Sequence, residues 1–171
     1  MTEAPDYLNR AAGVRIWRVA PTLWAQLGGL LWAPGMKEPW PTTDREYVAS
    51  CATFPDHAPP AEGCSCGFYA FYTPHLAEKG GYWPQVMSPL YNRLVAGVVG
   101  VAGEVEPAEY GMRAERATVE AIFTDGADDA ELPIPRQELA ADYDAKLIDS
   151  RDYEEFCAER GLIVFNPEDL D

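Results

Sequence analysis

The chain has 171 residues, of which 47% are hydrophobic and 12% aromatic, so it is long and apolar enough for one domain with its own core. No run approaches the ~18 apolar residues that cross a bilayer, and the polar start MTEAPDYLNR lacks the apolar segment of a signal peptide. We therefore expect no membrane association and a cytoplasmic location.

The formal net charge of −15 is unevenly distributed along the chain. Residues 1–102 hold 7 Lys and Arg against 8 Asp and Glu, whereas residues 103–171 hold 6 against 20. A solvated acidic surface is the simplest interpretation. The alternatives are a face directed at a basic protein partner and a mimic of nucleic acid. Direct nucleic-acid binding is not expected, because it needs a basic patch.

The first half of the chain predicts strands separated by turns. Residues 1–12 are a polar leader, and residues 14–19 alternate in polarity with β-branched and aromatic members, which is typical of a strand. Residues 22–35 predict a second strand broken by a glycine pair. Residues 46–51 fit a short strand or one helical turn, and residues 67–73 have the composition of a strand.

Two long strands are predicted in the middle of the chain. Residues 76–92 look irregular, with a short helix near their end. Residues 94–106 are rich in Val and Gly and predict a long strand whose glycines permit bending. Residues 111–123 alternate in polarity and predict its antiparallel partner across PAEYG, with a helix as the rival assignment.

The acidic end of the chain predicts short elements. Residues 125–133 form an acidic loop, residues 136–144 a helix and residues 146–148 a strand. A helix capped by Asp149 or Ser150 and ended by Gly161 follows, and residues 162–165 are a last strand. The helix residues that share one face are Tyr153, Phe156, Cys157 and Arg160.

The predicted fold class is α+β. We expect a curved, mostly antiparallel, partly open and barrel-like sheet with a small acidic C-terminal α/β cap. The domain assignment is a leader over residues 1–12, a β-rich metal-binding module over residues 13–125, and an acidic helical part of the same domain over residues 126–171.

The segment CATFPDHAPPAEGCSC (residues 51–66) concentrates possible metal ligands. It contains three of the 4 cysteines and one of the 2 histidines of the chain. Zinc prefers four tetrahedral thiolate and imidazole ligands, and three cysteines with one histidine form a closed set. Cys51, His57, Cys64 and Cys66 therefore predict a structural zinc site, and prolines stiffen the loop that would wrap the ion.

Other interpretations of the segment stay open. The pair is C-x-C rather than the commoner C-x2-C of zinc knuckles, although residues two apart on a strand point the same way. A disulfide from Cys51 to Cys64 or Cys66, unligated buried thiols, a Cys–His nucleophilic pair and iron binding are the alternatives. His75 is the next candidate for the fourth ligand, and Cys157 is expected in the core.

Charged residues outside the segment carry weaker signals. The carboxylates of residues 103–109 and 125–131 are interpreted as solvated loops. Arg113, Glu115 and Arg116 lie in an apolar strand, where they could pair across a sheet or form a buried polar site beside the metal. No nucleotide-binding or hydrolase motif is present.

The sequence resembles a group of small uncharacterised proteins of actinobacteria and their phages. The resemblance lies in WAPG (residues 32–35), A-x-C ending at Cys51, H-A-P from His57, C-x-C-G-F-Y-A from Cys64, and GMRAERA (residues 111–117). It covers roughly residues 13–123 and differs at Phe68, where the group commonly has Ile. It implies that the Cys/His segment and the Arg-Ala-Glu strand belong to one module, and it implies no activity.

The sequence favours a zinc-stabilised accessory or interaction protein that binds a protein partner with a basic surface. A phage is one candidate source of the gene. The first alternative is an enzyme that uses a Cys/His thiolate pair or an open zinc position. The second is an acidic nucleic-acid mimic. A non-enzymatic role is favoured because no catalytic signature is found.

Overall fold

A computed structural model of the chain describes residues 10–19, 29–32, 40–42, 45–79, 93–126 and 129–165. The strands in these ranges are β1 (Ala11–Val19), β2 (Gly29–Trp32), β3 (Trp40–Pro41), β4 (Tyr47–Val48), β5 (Phe68–Phe71), β6 (Leu94–Pro107), β7 (Gly111–Phe123) and β8 (Lys146–Ile148). The α-helices are α1 (Pro74–Lys79), α2 (Arg136–Asp142) and α3 (Tyr153–Arg160). Single 3-10 turns occupy Asp129–Glu131 and Ser150–Asp152.

The hairpin of β6 and β7 is the longest element of the fold. The two strands pair in antiparallel fashion from Gly97↔Ile122 to Pro107↔Met112. The Val-rich sequence of β6 favours this extended backbone, because β-branched side chains pack well on a pleated surface. The register shifts between Ala102 and Val105, where Gly103 has a φ of +78° that favours glycine. The hairpin therefore bends as well as twists.

Four strands close into a ring. β1 runs antiparallel to β6 from Ala11 to Arg18. β5 pairs with β7 along its whole length and meets β1 at Val14↔Phe71. The order β1–β6–β7–β5 thus returns to β1 without making a regular barrel, since the contact between β1 and β5 is one residue pair long.

Short strands extend the sheet where β7 and β1 continue beyond the four-stranded ring. Along β7, β5 is followed by β4 at Tyr47↔Ala117 and then by β8, which runs parallel to β7. At the end of β1, β2 pairs with Arg18 and Val19, and β3 pairs with β2. These strands protect hydrogen-bonding groups that would otherwise be open to other chains.

β1 and the first part of β6 are buried on both faces, because successive side chains point to opposite sides of the sheet and a core lies on each side. One core contains Trp17 and Val99 with the aromatic rings of Trp40 and Phe68. The other contains Val14, Ala96 and Val98 with residues of α3. Because both faces are covered, β6 reads as a continuous apolar run from Leu94 to Ala102 rather than as an alternating one.

The acidic C-terminal elements pack on the sheet through apolar residues and tyrosine hydroxyls. Leu139 of α2 lies in the first core, and Phe156 and Cys157 of α3 lie in the second. The hydroxyl of Tyr143 donates to the backbone oxygen of Trp40 at 2.5 Å, and that of Tyr153 donates to the oxygen of Tyr72 at 2.8 Å. The acidic side chains of α2 and α3 are exposed: Glu138, Asp142, Glu154, Glu155 and Glu159.

The α+β class and the curved, mostly antiparallel sheet with a helical cap are confirmed. The strands predicted over residues 94–106 and 111–123 are confirmed, and the rival helix over 111–123 is wrong, because β7 is bound on both edges. The short helix predicted near the end of residues 76–92 falls within residues 80–92, which lie outside the described chain. The helix at Pro74–Lys79 was not predicted. Residues 162–165 form only one bridge, Ala11↔Ile163.

Three further predictions concern the N-terminal leader, the first strand and membrane-crossing segments. Residues 1–9 of the predicted leader lie outside the described residues, and the domain boundaries stay a prediction. β1 begins at Ala11, earlier than the strand predicted from residue 14. Within the part of the chain that the structure describes, no helix has the length and apolarity needed to cross a bilayer.

Candidate metal centre

The loop that carries the cysteines is fixed to β7 at both ends. Before the loop, the N–H of Ala49 donates to the oxygen of Glu115 at 2.8 Å. After it, Phe68 pairs with Ala114. The entry and exit of the loop therefore meet at neighbouring residues of one strand, which holds the segment closed against the sheet.

The loop brings all four predicted ligands together. One ligand atom from each of Cys51, His57, Cys64 and Cys66 lies within 4.8 Å of the others. The sulfurs of Cys51 and Cys64 are 3.7 Å apart, and a tetrahedral zinc site with bonds of 2.3 Å would place them about 3.8 Å apart. The Cys66 sulfur is 3.3 Å from Nε2 of His57, against about 3.6 Å for zinc. The cluster is close enough to hold a metal ion.

The distance of 3.7 Å between the sulfurs of Cys51 and Cys64 argues against a disulfide between them. A disulfide requires about 2.05 Å between sulfurs, and all four cysteines are free. Cys157 is fully buried in the core with α3 and packs as an apolar side chain, whereas Cys51 is buried within the cluster of candidate ligands. His75 is exposed on α1 and does not belong to the cluster, so it is not the fourth ligand.

Backbone hydrogen bonds favour a thiolate at Cys51. The N–H of Phe54 donates to the Cys51 sulfur at 3.3 Å, and this bond lowers the pKa of Cys51 to about 7. The pKa of Cys64 is affected first by the backbone N–H of Cys66, which lowers it, but burial and the neighbouring sulfurs outweigh that bond and raise it. Crowded thiolates repel each other, and a cation among them removes that penalty.

Arg113 of β7 attaches the C-x-C pair to the sheet. Its Nη1 donates to the backbone oxygen of Cys64 and, at 3.0 Å, to that of Cys66. Its Nη2 pairs with the carboxylate of Glu106 on β6. Arg113 is only 9% exposed, so its bonds to the two backbone oxygens are shielded from water, whereas the Glu106 side chain is partly open to solvent. The buried polar site considered beside the metal is present at Arg113, whereas Arg116 pairs with Glu46 across β4 and β7.

The surface around the cluster is apolar and acidic. Val48, Phe54 and Tyr69 are 66%, 58% and 50% exposed. A cleft of about 400 Å³ beside the ligands is lined by Val48, Cys51, His57 and Glu115 among others. Asp56 and Glu62 lie on the loop itself and are exposed. Exposed large apolar side chains in one region are a common feature of interaction surfaces.

Comparison with known proteins returns no relative. No protein-family model matches the sequence, and no curated protein or solved structure matches it significantly. The resemblance to small actinobacterial and phage proteins therefore stays a prediction.

Proposed function

We propose that this protein is a zinc-stabilised interaction module, in which the metal holds the loop of residues 50–67 in the shape that a partner recognises. The observation that carries the proposal is the convergence of Cys51, His57, Cys64 and Cys66 within 4.8 Å. Zinc is the favoured ion because three thiolates and an imidazole match its preferred ligands, and four protein ligands complete its tetrahedron. A complete tetrahedron supports a structural role for the metal.

The metal would replace a hydrophobic core within the loop. Of the residues that follow Cys51 up to Glu62, only Pro59 and Pro60 are buried, so the loop has little apolar burial of its own. Structural zinc stabilises such segments because the energy of binding contributes directly to folding. Loss of the ion would then free the loop between its two attachments on β7.

The test of the metal site is the zinc content of the untagged protein, measured by elemental analysis and native mass spectrometry. We expect about one zinc per chain, and we expect chelation to increase proteolysis within residues 50–67. His57→Ala should lose the metal, whereas His75→Ala, a change at the other histidine, should keep it. Metal-free protein whose loop resists proteolysis equally well would refute the proposal.

The partner is proposed to be a protein with basic residues around an apolar patch. The support is the combination of exposed Val48, Phe54 and Tyr69 with the acidic side chains of Asp56 and Glu62. A photo-crosslinking amino acid at Phe54 should capture this partner in cell extract, and one at Ile163, which is 43% exposed, is the matched control. Equal capture from both positions would contradict the assignment of this surface.

The thiolate-pair enzyme is the second candidate. The distance of 3.3 Å between the Cys66 sulfur and Nε2 of His57 supports it, because a nucleophile needs a base within such reach. Thiol labelling separates the two candidates. Fast modification of Cys66 in metal-free, folded protein would favour the enzyme, and protection that is lost only with the metal would favour the structural site.

The nucleic-acid mimic is supported only by the charge of the chain. It predicts a complex with a DNA-binding protein that weakens steeply as salt increases. A complex that is unchanged at high salt would exclude the mimic and leave the apolar patch as the binding surface.

A further inference from the structure

A second cavity lies where β1 and β5 separate, on a different part of the ring from the loop cleft. Its volume is about 450 Å³, within the range of small-molecule sites. Val14↔Phe71 is the only residue pair that joins β1 to β5 in the described chain, and β5 then follows β7. The separation leaves an opening walled by Ile16 and Met112.

The rim of this cavity is aromatic. Tyr69 and Tyr110 are 50% and 36% exposed and line the opening. Glu109 also lies at the rim, and its carboxylate raises the pKa of the Tyr110 hydroxyl. Apolar walls with a few polar groups are typical of sites that bind small organic molecules.

Arg15 provides the cation in the wall. It is 8% exposed, its Nη1 donates to the backbone oxygen of Tyr69, and its Nε has no hydrogen-bond partner. No carboxylate in the described residues pairs with it. The other buried arginines, Arg113 and Arg136, each form an ion pair with an acidic side chain.

A buried guanidinium without an anion is costly, so its presence calls for a compensating group. The rings of Trp40 and Phe68 lie 5.1 and 6.0 Å from the Arg15 guanidinium carbon and offset part of the cost. Burial lowers the pKa of Arg15 to about 10, so the side chain still carries its charge at neutral pH. An oxyanion from outside would pair with it.

We propose that this cavity binds a small apolar carboxylic acid, with its carboxylate against Arg15 and its hydrocarbon or aromatic body against Ile16, Phe71 and Met112. Guanidinium favours carboxylate through charge-assisted hydrogen bonds, and the apolar walls favour the rest of the ligand. None of the four candidate metal ligands lines this cavity, which shares Tyr69 at its rim with the proposed partner surface.

The test compares three probes of similar shape and different charge: phenylacetate, phenylethanol and phenethylamine. Binding to the purified full chain is followed by calorimetry and by NMR of the backbone amides and methionine methyls. We expect phenylacetate to bind at least about tenfold more tightly than phenylethanol, the ratio for one charge-assisted hydrogen bond. The shifts should map to Tyr69, Tyr110 and Met112. Equal affinities, or shifts confined to another region, would overturn the proposal.

Arg15→Met is the decisive variant, and Arg18→Met, at the exposed arginine of the same strand, is its control. Methionine matches the arginine side chain as far as Nε and carries no charge, and an apolar replacement of buried charge is often tolerated. We expect the preference for phenylacetate over phenylethanol to disappear in Arg15→Met and to persist in Arg18→Met. A preference that survives in Arg15→Met would overturn the proposal. If Arg15→Met does not fold, the NMR shifts that phenylacetate causes in the unmodified protein test the proposal, which requires them to map to Tyr69, Tyr110 and Met112.

Discussion

Replacing Arg113 with methionine should destabilise the loop of residues 50–67 without replacing any of the four candidate ligands. Methionine keeps most of the length of the side chain but has no donor, so the backbone oxygens of Cys64 and Cys66 lose their shared partner. Arg113 lies under the loop at 9% exposure, so water cannot fully take its place. The change therefore tests whether the sheet holds the C-x-C pair in position for the metal.

The size of the effect follows from the bonds that are lost. Each hydrogen bond to a charged donor contributes about 1.5–3 kcal/mol. Cys64 and Cys66 are half-buried, and water will partly compensate, so we expect a loss of about 2–4 kcal/mol in the free energy of unfolding. The ion pair with Glu106 adds less than about 1 kcal/mol, since the Glu106 side chain is 46% exposed. Zinc affinity should fall about tenfold, as for other groups that orient ligands.

The assay is urea unfolding at fixed free zinc, together with competition against a chromophoric chelator. Glu106→Gln is the matched control, because it removes the ion pair and leaves both carbonyl bonds intact. Arg113→Lys should fall between the two, since lysine keeps the charge but cannot bridge three acceptors. The reasoning is refuted if Arg113→Met and Glu106→Gln have equal unfolding free energies and equal zinc affinities.

Three further predictions concern other parts of the molecule. Gly97→Ala should cost about 2–4 kcal/mol in urea unfolding, because the new Cβ would collide with the backbone oxygen of Ala121; a cost below ~1 kcal/mol would contradict this packing. Asp149 has a pKa lowered to about 2 by its hydrogen bonds with Arg151, so its stabilising effect is present above the ordinary pKa of about 3.9 and is lost as pH falls through 2. NMR titration should show that pKa rising toward its ordinary value in Arg151→Gln, and an unchanged pKa would count against the pair. Burial raises the pKa of Cys157 to about 11, so a thiol reagent should leave Cys157 unmodified in the folded protein; labelling before unfolding would contradict its burial.

The cluster of candidate ligands could be found from the sequence because the four residues are neighbours in the chain. Cys51, His57, Cys64 and Cys66 lie within one loop, and prolines and glycines limit its conformations. A loop of this length needs little help from the rest of the fold to bring its ends together. The sequence predicts a buried polar site at Arg113 as one of two interpretations, but it could not name the partners, since these are backbone oxygens of a segment far away in sequence.

The helix at Pro74 was missed because its signal is short. It spans Pro74–Lys79, and in this helix Ala77 alone is buried, so no apolar period is visible. The N–H of Leu76 donates to the Thr73 hydroxyl at 3.2 Å, and such a cap is typical of the start of a helix. A threonine just before Pro74 was therefore the one local feature of the sequence that could have indicated this helix.

The sequence by itself determined the strands β6 and β7, the helix that ends at Gly161 and the candidate ligands of the loop, since each depends on residues close together in the chain. The tertiary structure alone decided that four strands close into a ring and that β7 binds three strands along one edge. It also decided that Arg15 is buried while Arg18, on the same strand, is exposed. The physical reason is that strand pairing and burial depend on contacts between segments far apart in the sequence. The free energy of those contacts depends on the packing of the whole chain, which no local pattern contains.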